Sequence, residues 1–241
     1  MKVIITGMNG TVAPYIYEEL ISKNIEVVIW DRSKTDITSQ ESVHQFIQEH
    51  QPDLFFHIAT GPLEWVEYIV HSTQKLGIKL LFTSTVSVFS DKGTGPYDIS
   101  SIPNAEDDYG SYKIQCEKFI EKFHKNAVIV RLGWQIEANA RPNNMFHSLS
   151  KQQASKGFIE ASSRWYPSCS FLTDTAKTVV YCALNFSPGI YMANSNTKYS
   201  FFEIVSHLKE KYKTDWIVKE TTSLERDDRM IDNRVEIGEL F

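Results

Sequence analysis

The chain has 241 residues, of which 42% are hydrophobic and 23% charged, and its formal net charge is −5. This composition is typical of a globular chain with a sizeable core, and the modest negative charge argues against a nucleic-acid or anionic-membrane partner. There is no run of about 18 apolar residues, and neither the three cysteines nor the seven histidines have metal-site spacing. We therefore expect free thiols, structural or exposed histidines, no metal, no membrane span and a cytoplasmic location.

The first stretch, Lys2–Ala13, joins an apolar strand to two glycines, Gly7 and Gly10, and a predicted helix, Thr11–Lys23. Such a turn presents free N–H groups and the positive end of the helix dipole to an anion. One glycine allows the sharp turn, and the other allows a phosphate to approach the backbone. We interpret the pattern as a dinucleotide site rather than a purely structural turn. The predicted contacts of this turn are Gly7, Asn9, Gly10, Thr11 and Val12.

A second strand, Ile25–Trp30, ends in Asp31, where an acid that binds the cofactor ribose is expected. The carboxylate would accept a hydrogen bond from the 2′-hydroxyl of NADH and repel the 2′-phosphate of NADPH. Arg32 follows directly, and a guanidinium suits a phosphate. The sequence therefore leaves the choice between NAD and NADP open.

The next segments alternate between amphipathic helices and buried strands, which predicts a Rossmann-type, doubly wound parallel sheet of the α/β class. The predicted elements are helices Gln40–Glu49, Leu63–Leu76 and Tyr109–His124, strands Asp53–Ile58, Lys79–Thr83 and Ala127–Leu132, and a long loop, Ser90–Asp108.

Beyond Gly133 the alternation weakens, so we expect a small α/β substrate lobe. Residues 1–133 would form the cofactor domain and residues 134–241 mainly the lobe, with some segments returning to the Rossmann core. The predicted elements are helices Asn144–Lys156, Thr173–Asn185 and Ser200–Lys213, strands Gly189–Ala193 and Trp216–Lys219, a polar turn, Ala161–Ser168, and a surface tail, Thr221–Phe241.

Two residues that could perform chemistry, Tyr109 and Lys113, lie four positions apart and therefore on one helix face. An ammonium near a phenol lowers the phenol pKa from about 10 and favours proton transfer at a substrate oxygen. Thr85, just beyond the fourth strand, could hydrogen-bond to the same oxygen. Ser84 and Ser87 are rivals for that role. The alternatives are a solvated helix face and a hydroxyl bonded to local backbone.

Together these features resemble the extended short-chain dehydrogenase/reductase family, and within it the chain is most similar to the dTDP-4-dehydrorhamnose reductase group. The stretches that carry the resemblance, besides the glycine turn and Thr85, are Asp36–Thr38, Gln51–Asp53, Tyr109–Lys113, Arg131–Trp134 and, more faintly, Gly189–Ala193.

The resemblance implies that Tyr109 donates a proton, that Lys113 activates it and binds the nicotinamide ribose, and that Thr85 binds the substrate carbonyl. Further implied cofactor contacts are Asp36, Ile37, Ala59 and Thr60. Predicted substrate contacts are Ser87, Trp134, Asn144, Arg164 and Tyr166. Arg164 could pair with a diphosphate in a bidentate manner or be an exposed arginine.

The sequence also departs from the resembling group. Val86 and Ser87 stand where that group has an Asp-Tyr pair that contacts the sugar, and no acid follows Thr85, which disfavours dehydration. The segment from Ala59 to Val70 is shorter than in typical members.

We expect an NAD(P)H-dependent reductase of a nucleotide-linked ketosugar that can form a homodimer. The alternatives are a sugar-nucleotide epimerase and a non-catalytic, cofactor-binding regulatory protein.

Overall fold

Six parallel strands form the central sheet of the structure, a computed structural model that describes residues 1–92 and 95–241. Residues 93 and 94 of the predicted loop Ser90–Asp108 lie outside the described residues. The elements of the first part of the chain are β1 (Lys2–Ile5), α1 (Ala13–Ser22), β2 (Glu26–Ile29), α2 (Gln40–His50), β3 (Leu54–His57), α3 (Leu63–Leu76), β4 (Lys79–Thr85), α4 (Asp108–Phe123) and β5 (Ala127–Leu132).

The second part of the chain contains shorter strands. Its elements are β6 (Trp134–Ile136), α5 (Met145–Lys156), β7 (Ile159–Ser162), β8 (Trp165–Tyr166), β9 (Cys169–Phe171), α6 (Leu172–Asn185), β10 (Gly189–Ala193), α7 (Phe201–Tyr212), β11 (Val218–Thr221) and β12 (Arg226–Asp227).

The central sheet has the order β10–β5–β4–β3–β1–β2, and each neighbouring pair is parallel. Its inner strands are almost entirely buried, because helices cover both faces. The apolar faces of α1 and α6 pack on one side, and those of α2, α3 and α4 pack on the other. The predicted doubly wound α/β fold is confirmed.

Three two-stranded parallel pairs, β6–β9, β7–β11 and β8–β12, form the smaller lobe with α5 and α7. Its core includes Ile136, Leu149, Ile204 and Leu208, each fully or almost fully buried. In contrast, α6 and β10 return to the central sheet, where β10 extends it beyond β5.

Two expectations for the second half were wrong. The predicted polar turn Ala161–Ser168 contains the end of β7 and all of β8. The predicted surface tail contains β12 and the buried residues Asp228 and Met230. Its charges misled the prediction because several are paired with one another, Arg226 with Asp228 and Arg229 with Asp227. Asp228 also accepts a hydrogen bond from the Trp165 indole at 2.7 Å.

The tail forms hydrogen bonds with two other parts of the chain, the segment that precedes α4 and the strand β10. It binds the segment that precedes α4. There the backbone N–H of Tyr97 donates to the carbonyl of Arg229 at 2.7 Å, and the carbonyl of Tyr97 accepts from the N–H of Ile231 at 2.8 Å. It then runs along β10, where the Met192 N–H donates to Asp232 at 3.2 Å. Arg234 likewise donates to the Ile190 carbonyl at 2.8 Å, so side chains of the tail occupy backbone groups on the free edge of β10.

None of the helices described by the structure is both long and apolar enough to cross a membrane.

Candidate active site

A cleft of about 1050 Å³ opens at the carboxyl ends of the central strands. In parallel α/β sheets this edge is where ligands bind. Helix termini and strand ends from both halves of the chain line the cleft. It brings together the predicted site residues Gly7, Asn9, Gly10, Thr11, Val12, Asp31, Arg32, Ala59, Thr60, Thr85, Ser87, Tyr109, Lys113 and Trp134.

Three predicted residues do not line the cleft and have other partners. Asp36 accepts hydrogen bonds from the N–H and hydroxyl of Thr38, and Ile37 packs against the core beside α2 and α3. Asn144 caps α5, accepting from the N–H of His147 at 3.0 Å. Since the Asn144 carboxamide also donates to a backbone carbonyl at 2.8 Å, both of its ends are occupied. Their ligand contacts stay predictions.

The remaining two predicted substrate residues also lie outside the cleft lining. Arg164 forms an ion pair with Glu225 on the surface, and both side chains are more than half exposed. The guanidinium of Arg229 lies over the ring of Tyr166, 4.9 Å from the ring centre. Their roles in substrate binding also stay predictions.

The glycine turn has the form that the sequence predicted. Gly7 has φ +90°, and a Cβ there would lie 3.0 Å from the backbone nitrogen of Ala59. The Gly10 N–H donates to the Gly7 carbonyl at 2.7 Å, which closes the turn. Within the described residues no side chain caps α1. Pro14 has no N–H and the Tyr15 N–H donates to the Val12 carbonyl at 3.2 Å, so the N–H groups open to the cleft at this terminus are those of Val12 and Ala13. An uncapped helix terminus at a cleft fits a phosphate group.

The ribose end of the cleft contains Asp31 and Arg32 beyond β2. Hydrogen bonds from the hydroxyl and N–H of Ser33 lower the pKa of the Asp31 carboxyl, which is therefore ionised at neutral pH. Both bonds use Oδ1, and Oδ2 lies 3.9 Å from the Lys34 ammonium. A negative charge is thus fixed where a ribose is expected.

Arg32 is held by the short segment that follows β3. Its guanidinium lies 4.5 Å from the centre of the Trp65 ring and donates to the carbonyl of Thr60. Trp65 is fully buried, and a Cβ at Gly61 would come within 2.7 Å of it. Within the shortened segment from Ala59 to Val70, Thr60 and the first turn of α3 therefore hold Arg32 at the edge of the cleft.

At the opposite end, Lys113 is only 2% exposed. Its ammonium donates to the carbonyl of Thr83 at 2.8 Å and lies 4.5 Å from the centre of the Phe82 ring. Burial lowers the pKa of Lys113 to about 8, because charge is unfavourable in a medium of low polarity.

Tyr109 behaves differently from the expectation that Lys113 lowers its pKa. Desolvation raises the pKa of the phenol above its usual value, and the nearby Thr85 hydroxyl offsets part of this effect. Because 47% of Tyr109 is exposed, solvent limits the rise. Thr85 itself accepts from the Ser87 N–H at 3.1 Å and donates to the Ser87 hydroxyl at 3.2 Å. The phenol thus enters the cleft as a protonated hydroxyl.

A buried ion pair fixes α4 to the sheet. Arg131 on β5 donates to both carboxylate oxygens of Glu117 on α4, at 3.0 and 2.7 Å. Both side chains are only 3% exposed, and such bidentate pairs constrain orientation as well as distance. The pair positions the helix that carries Tyr109 and Lys113. Arg131 was noted in the sequence only as part of a family stretch.

Thr6 and His57 form a support that the sequence analysis did not recognise. The Thr6 hydroxyl accepts from the N–H groups of Ile58 and Ala59 at 3.0 and 3.2 Å, so its own proton is directed at His57 Nδ1, 3.0 Å away. Burial lowers the pKa of His57 to about 3, which keeps the ring neutral. The position of Thr6 directly before the glycine turn was the available signal.

A loop of the smaller lobe contacts the glycine turn. Arg141 donates to the Met8 carbonyl at 3.1 Å, and the Thr11 hydroxyl donates to the Pro142 carbonyl at 3.0 Å. Asn143, in the left-handed region with φ +82°, lines the cleft between these contacts. This strap, residues 141–143, joins the two parts of the cleft.

Comparison with known proteins agrees with this geometry. The model of the NAD dependent epimerase/dehydratase family matches residues 3–136. The spore coat polysaccharide biosynthesis protein SpsK of Bacillus subtilis is 22% identical over 240 residues, covering 93% of this chain and 84% of that protein.

Two solved structures illustrate the similarity of the fold. The dTDP-4-dehydrorhamnose reductase of Bacillus anthracis, solved with NADP, superposes with a TM-score of 0.84 at 20% identity, covering 99% of this chain and 95% of that one. The UDP-N-acetylglucosamine 4-epimerase of Bacillus cereus gives a TM-score of 0.82 at 16% identity, covering 97% and 91%.

The expectation of an NAD(P)-dependent enzyme of the extended short-chain dehydrogenase/reductase type is confirmed. Since the matched residues make up more than half of its length, the chain belongs to the NAD dependent epimerase/dehydratase family.

Proposed function

We propose that the protein uses NADPH or NADH to reduce the keto group of a nucleotide-linked sugar. One observation carries the proposal: Thr85, Tyr109 and Lys113 line one end of a cleft whose middle is the glycine turn at an uncapped helix terminus. A proton donor and an anion site on one sheet edge suit a dinucleotide-dependent reduction.

The glycine turn would hold the cofactor pyrophosphate, Asp31 the adenosine ribose and Lys113 the nicotinamide ribose. The residues fit the group, because a diphosphate would meet the N–H groups of Val12 and Ala13 at the uncapped start of α1, and a ribose hydroxyl would meet the ionised Asp31. The bound nicotinamide supplies the hydride. The complex of the Bacillus anthracis reductase with NADP supports this cofactor class.

Tyr109 would donate the proton to the substrate oxygen. Its raised pKa keeps the phenol protonated at neutral pH, and Thr85 presents a second hydroxyl to the same end of the cleft. Thr85 would then hydrogen-bond to the same oxygen as negative charge develops on it. The nearby Lys113 ammonium, charged below about pH 8, would favour that charge.

A sugar nucleotide is the proposed substrate class. The names of the Bacillus anthracis reductase and of the spore coat polysaccharide protein both point to sugar chemistry. We do not assign the hexulose of dTDP-4-dehydrorhamnose, because Val86 and Ser87 replace the expected Asp-Tyr pair.

Epimerisation is the second proposed function, and the strap is the observation that favours it. Contacts from Arg141 and Thr11 join the lobe to the glycine turn, which would slow release of a bound cofactor. An epimerase keeps its cofactor through the cycle, and the similar Bacillus cereus structure is a sugar-nucleotide 4-epimerase.

The test combines native mass spectrometry with turnover. Purified protein is examined for retained dinucleotide and sugar nucleotide, then incubated with NADH or NADPH and dTDP-, UDP- and GDP-linked 4-ketosugars. Stoichiometric consumption of reduced cofactor supports a reductase, whereas interconversion of 4-epimers without net consumption supports an epimerase. Cofactor binding without either reaction would refute both enzymatic proposals and favour the regulatory alternative.

A further inference from the structure

Gln135 has an amide whose orientation is fixed by the backbone. It lies in β6, lines the cleft and is only 6% exposed. Its Nε2 donates to the carbonyl of Gly133 at 2.9 Å. Since a carbonyl can only accept a hydrogen bond, the amide nitrogen must face Gly133 and the amide oxygen must face away.

The other end of this amide lacks a partner. Across residues 1–92 and 95–241, Oε1 of Gln135 is buried and receives no hydrogen bond. A buried acceptor without a donor is costly, and folded proteins satisfy the great majority of such groups. Ser84, at the end of β4, shows the same condition: its hydroxyl is buried, lines the cleft and has no partner among the described residues. Unsatisfied polar atoms are thus present where a ligand is expected.

The topology places Gln135 at the catalytic end. β5 neighbours β4, with Leu132 opposite Thr85, and Gln135 follows Leu132 by only three positions. Trp134, beside it, also lines the cleft. The glycine turn follows β1, which is separated from β5 by two strands. A dinucleotide that has its pyrophosphate at the glycine turn and its reactive ring near Thr85 would bring that ring towards Gln135.

We propose that Gln135 is a ligand-binding residue whose Oε1 accepts a hydrogen bond from an N–H or O–H group at the catalytic end of the cleft. Two ligands carry such donors there: the carboxamide of the nicotinamide and a hydroxyl of the sugar. The identity of these ligands rests on the proposed function, whereas the fixed, unsatisfied acceptor does not.

The experiment compares ligands that differ by one donor. NAD⁺ and NADP⁺ are titrated by calorimetry against their 3-acetylpyridine analogues, in which a methyl group replaces the amide NH₂. Free dTDP and UDP are titrated against the corresponding sugar nucleotides. Each pair is measured with the parent, with Gln135→Met, and with Gln45→Met as a control, because Gln45 lies exposed on α2. Met keeps the length of the side chain and removes both polar atoms.

If the carboxamide is the donor, the parent prefers the natural dinucleotide by about three- to tenfold, and Gln135→Met abolishes that preference. If a sugar hydroxyl is the donor, the dinucleotide ratio stays constant. The preference for the sugar nucleotide over the free nucleotide then falls by a similar factor.

A merely structural role predicts another pattern. Loss of the bond to Gly133 would weaken both members of a pair equally, so unchanged ratios for both ligand pairs would overturn the proposal. A parent that binds the ligands but turns over no ketosugar refutes the proposed reaction alone, because the ratios remain measurable. A parent that binds neither ligand class overturns both.

Discussion

The ribose end of the cleft is built from exposed side chains, whereas the catalytic end is built into the protein core. Asp31 has 46% of its side chain exposed, and its hydrogen bonds reach only its own turn. Lys113 is 2% exposed and bonded to the central strand β4. Substitutions at the ribose end should therefore change ligand preference alone, while those of the buried residues that support the catalytic end should also affect folding. The following predictions test this difference, from the largest expected effect to the smallest.

Tyr109→Phe removes the proposed acid while it keeps the ring. Loss of a positioned acid typically lowers the rate by about 10²–10⁴-fold. Since 47% of Tyr109 is exposed, the variant should retain the parent's free energy of unfolding and its affinity for dinucleotide. Steady-state turnover with calorimetry on the same samples provides the check, and Tyr181→Phe, exposed on α6, is the control. Full activity of Tyr109→Phe would remove the residue from the mechanism.

Glu117→Gln breaks the ion pair beneath the catalytic helix and leaves the Arg131 guanidinium buried without its counter-charge. Breaking a buried pair in this way costs about 3–5 kcal/mol of unfolding free energy. Urea denaturation measures the loss. Glu121→Gln, one turn further along α4 and exposed, is the matched control and should change little. Similar stabilities of the two variants would contradict a structural role for the pair.

Two buried histidines should make the fold sensitive to acid. Burial lowers the pKa of His57 to about 3 and that of His124 to about 4, both from an ordinary 6.5. Between about pH 6.5 and 4 the unfolded chain therefore binds protons that the folded chain does not. Stability then falls as pH falls, by up to about 1.4 kcal/mol per pH unit for each histidine.

Urea denaturation at intervals from pH 7 to 4.5 tests this slope. His124→Gln, which removes one of the two titrating groups, should flatten the dependence. An equally steep profile in that variant would show that other groups control acid sensitivity.

Asp31→Ala should shift preference towards NADPH, because a fixed negative charge leaves and Arg32 remains. For an exposed charge the expected change in the ratio of NADPH to NADH affinity is about fivefold at low salt, decreasing as salt screens it. Thermal stability should stay constant, since the hydrogen bonds of Asp31 are local. Arg32→Ala is the opposing control and should shift the ratio towards NADH. An unchanged ratio in both variants would show that neither residue faces the ribose.

The parts of the site that the sequence predicted are those written in local patterns. The glycine turn, Asp31 and the pair Tyr109 and Lys113 lie in short motifs at the ends of long, periodic elements, and the structure brings them to one cleft. The expected lowering of the Tyr109 pKa by Lys113 was wrong. Spacing places two residues on one face, whereas the surrounding burial determines the pKa.

What the sequence missed depends on contacts between distant segments. β8 and β12 have two residues each, so neither has room for a periodic pattern. The stacking of Arg32 on Trp65 joins residues from different crossover connections. The free acceptor of Gln135 is recognised only because no donor among the described residues reaches its Oε1. Such features follow from packing, which no local spacing encodes.

The hydrogen bonds between the tail and the segment before α4 also affect the order in which parts of the protein can fold during its synthesis. Residues up to Ile136 supply both the glycine turn and Tyr109, yet Tyr97 finds its partners Arg229 and Ile231 only after nearly a hundred further residues have been made. Contacts of such long separation form late, because loop closure must precede them. A nascent chain can therefore assemble five of the six strands of the central sheet well before the segment that precedes Tyr109 is anchored. Ligand binding by a nascent chain would then indicate that the second half of the chain had been synthesised and had folded.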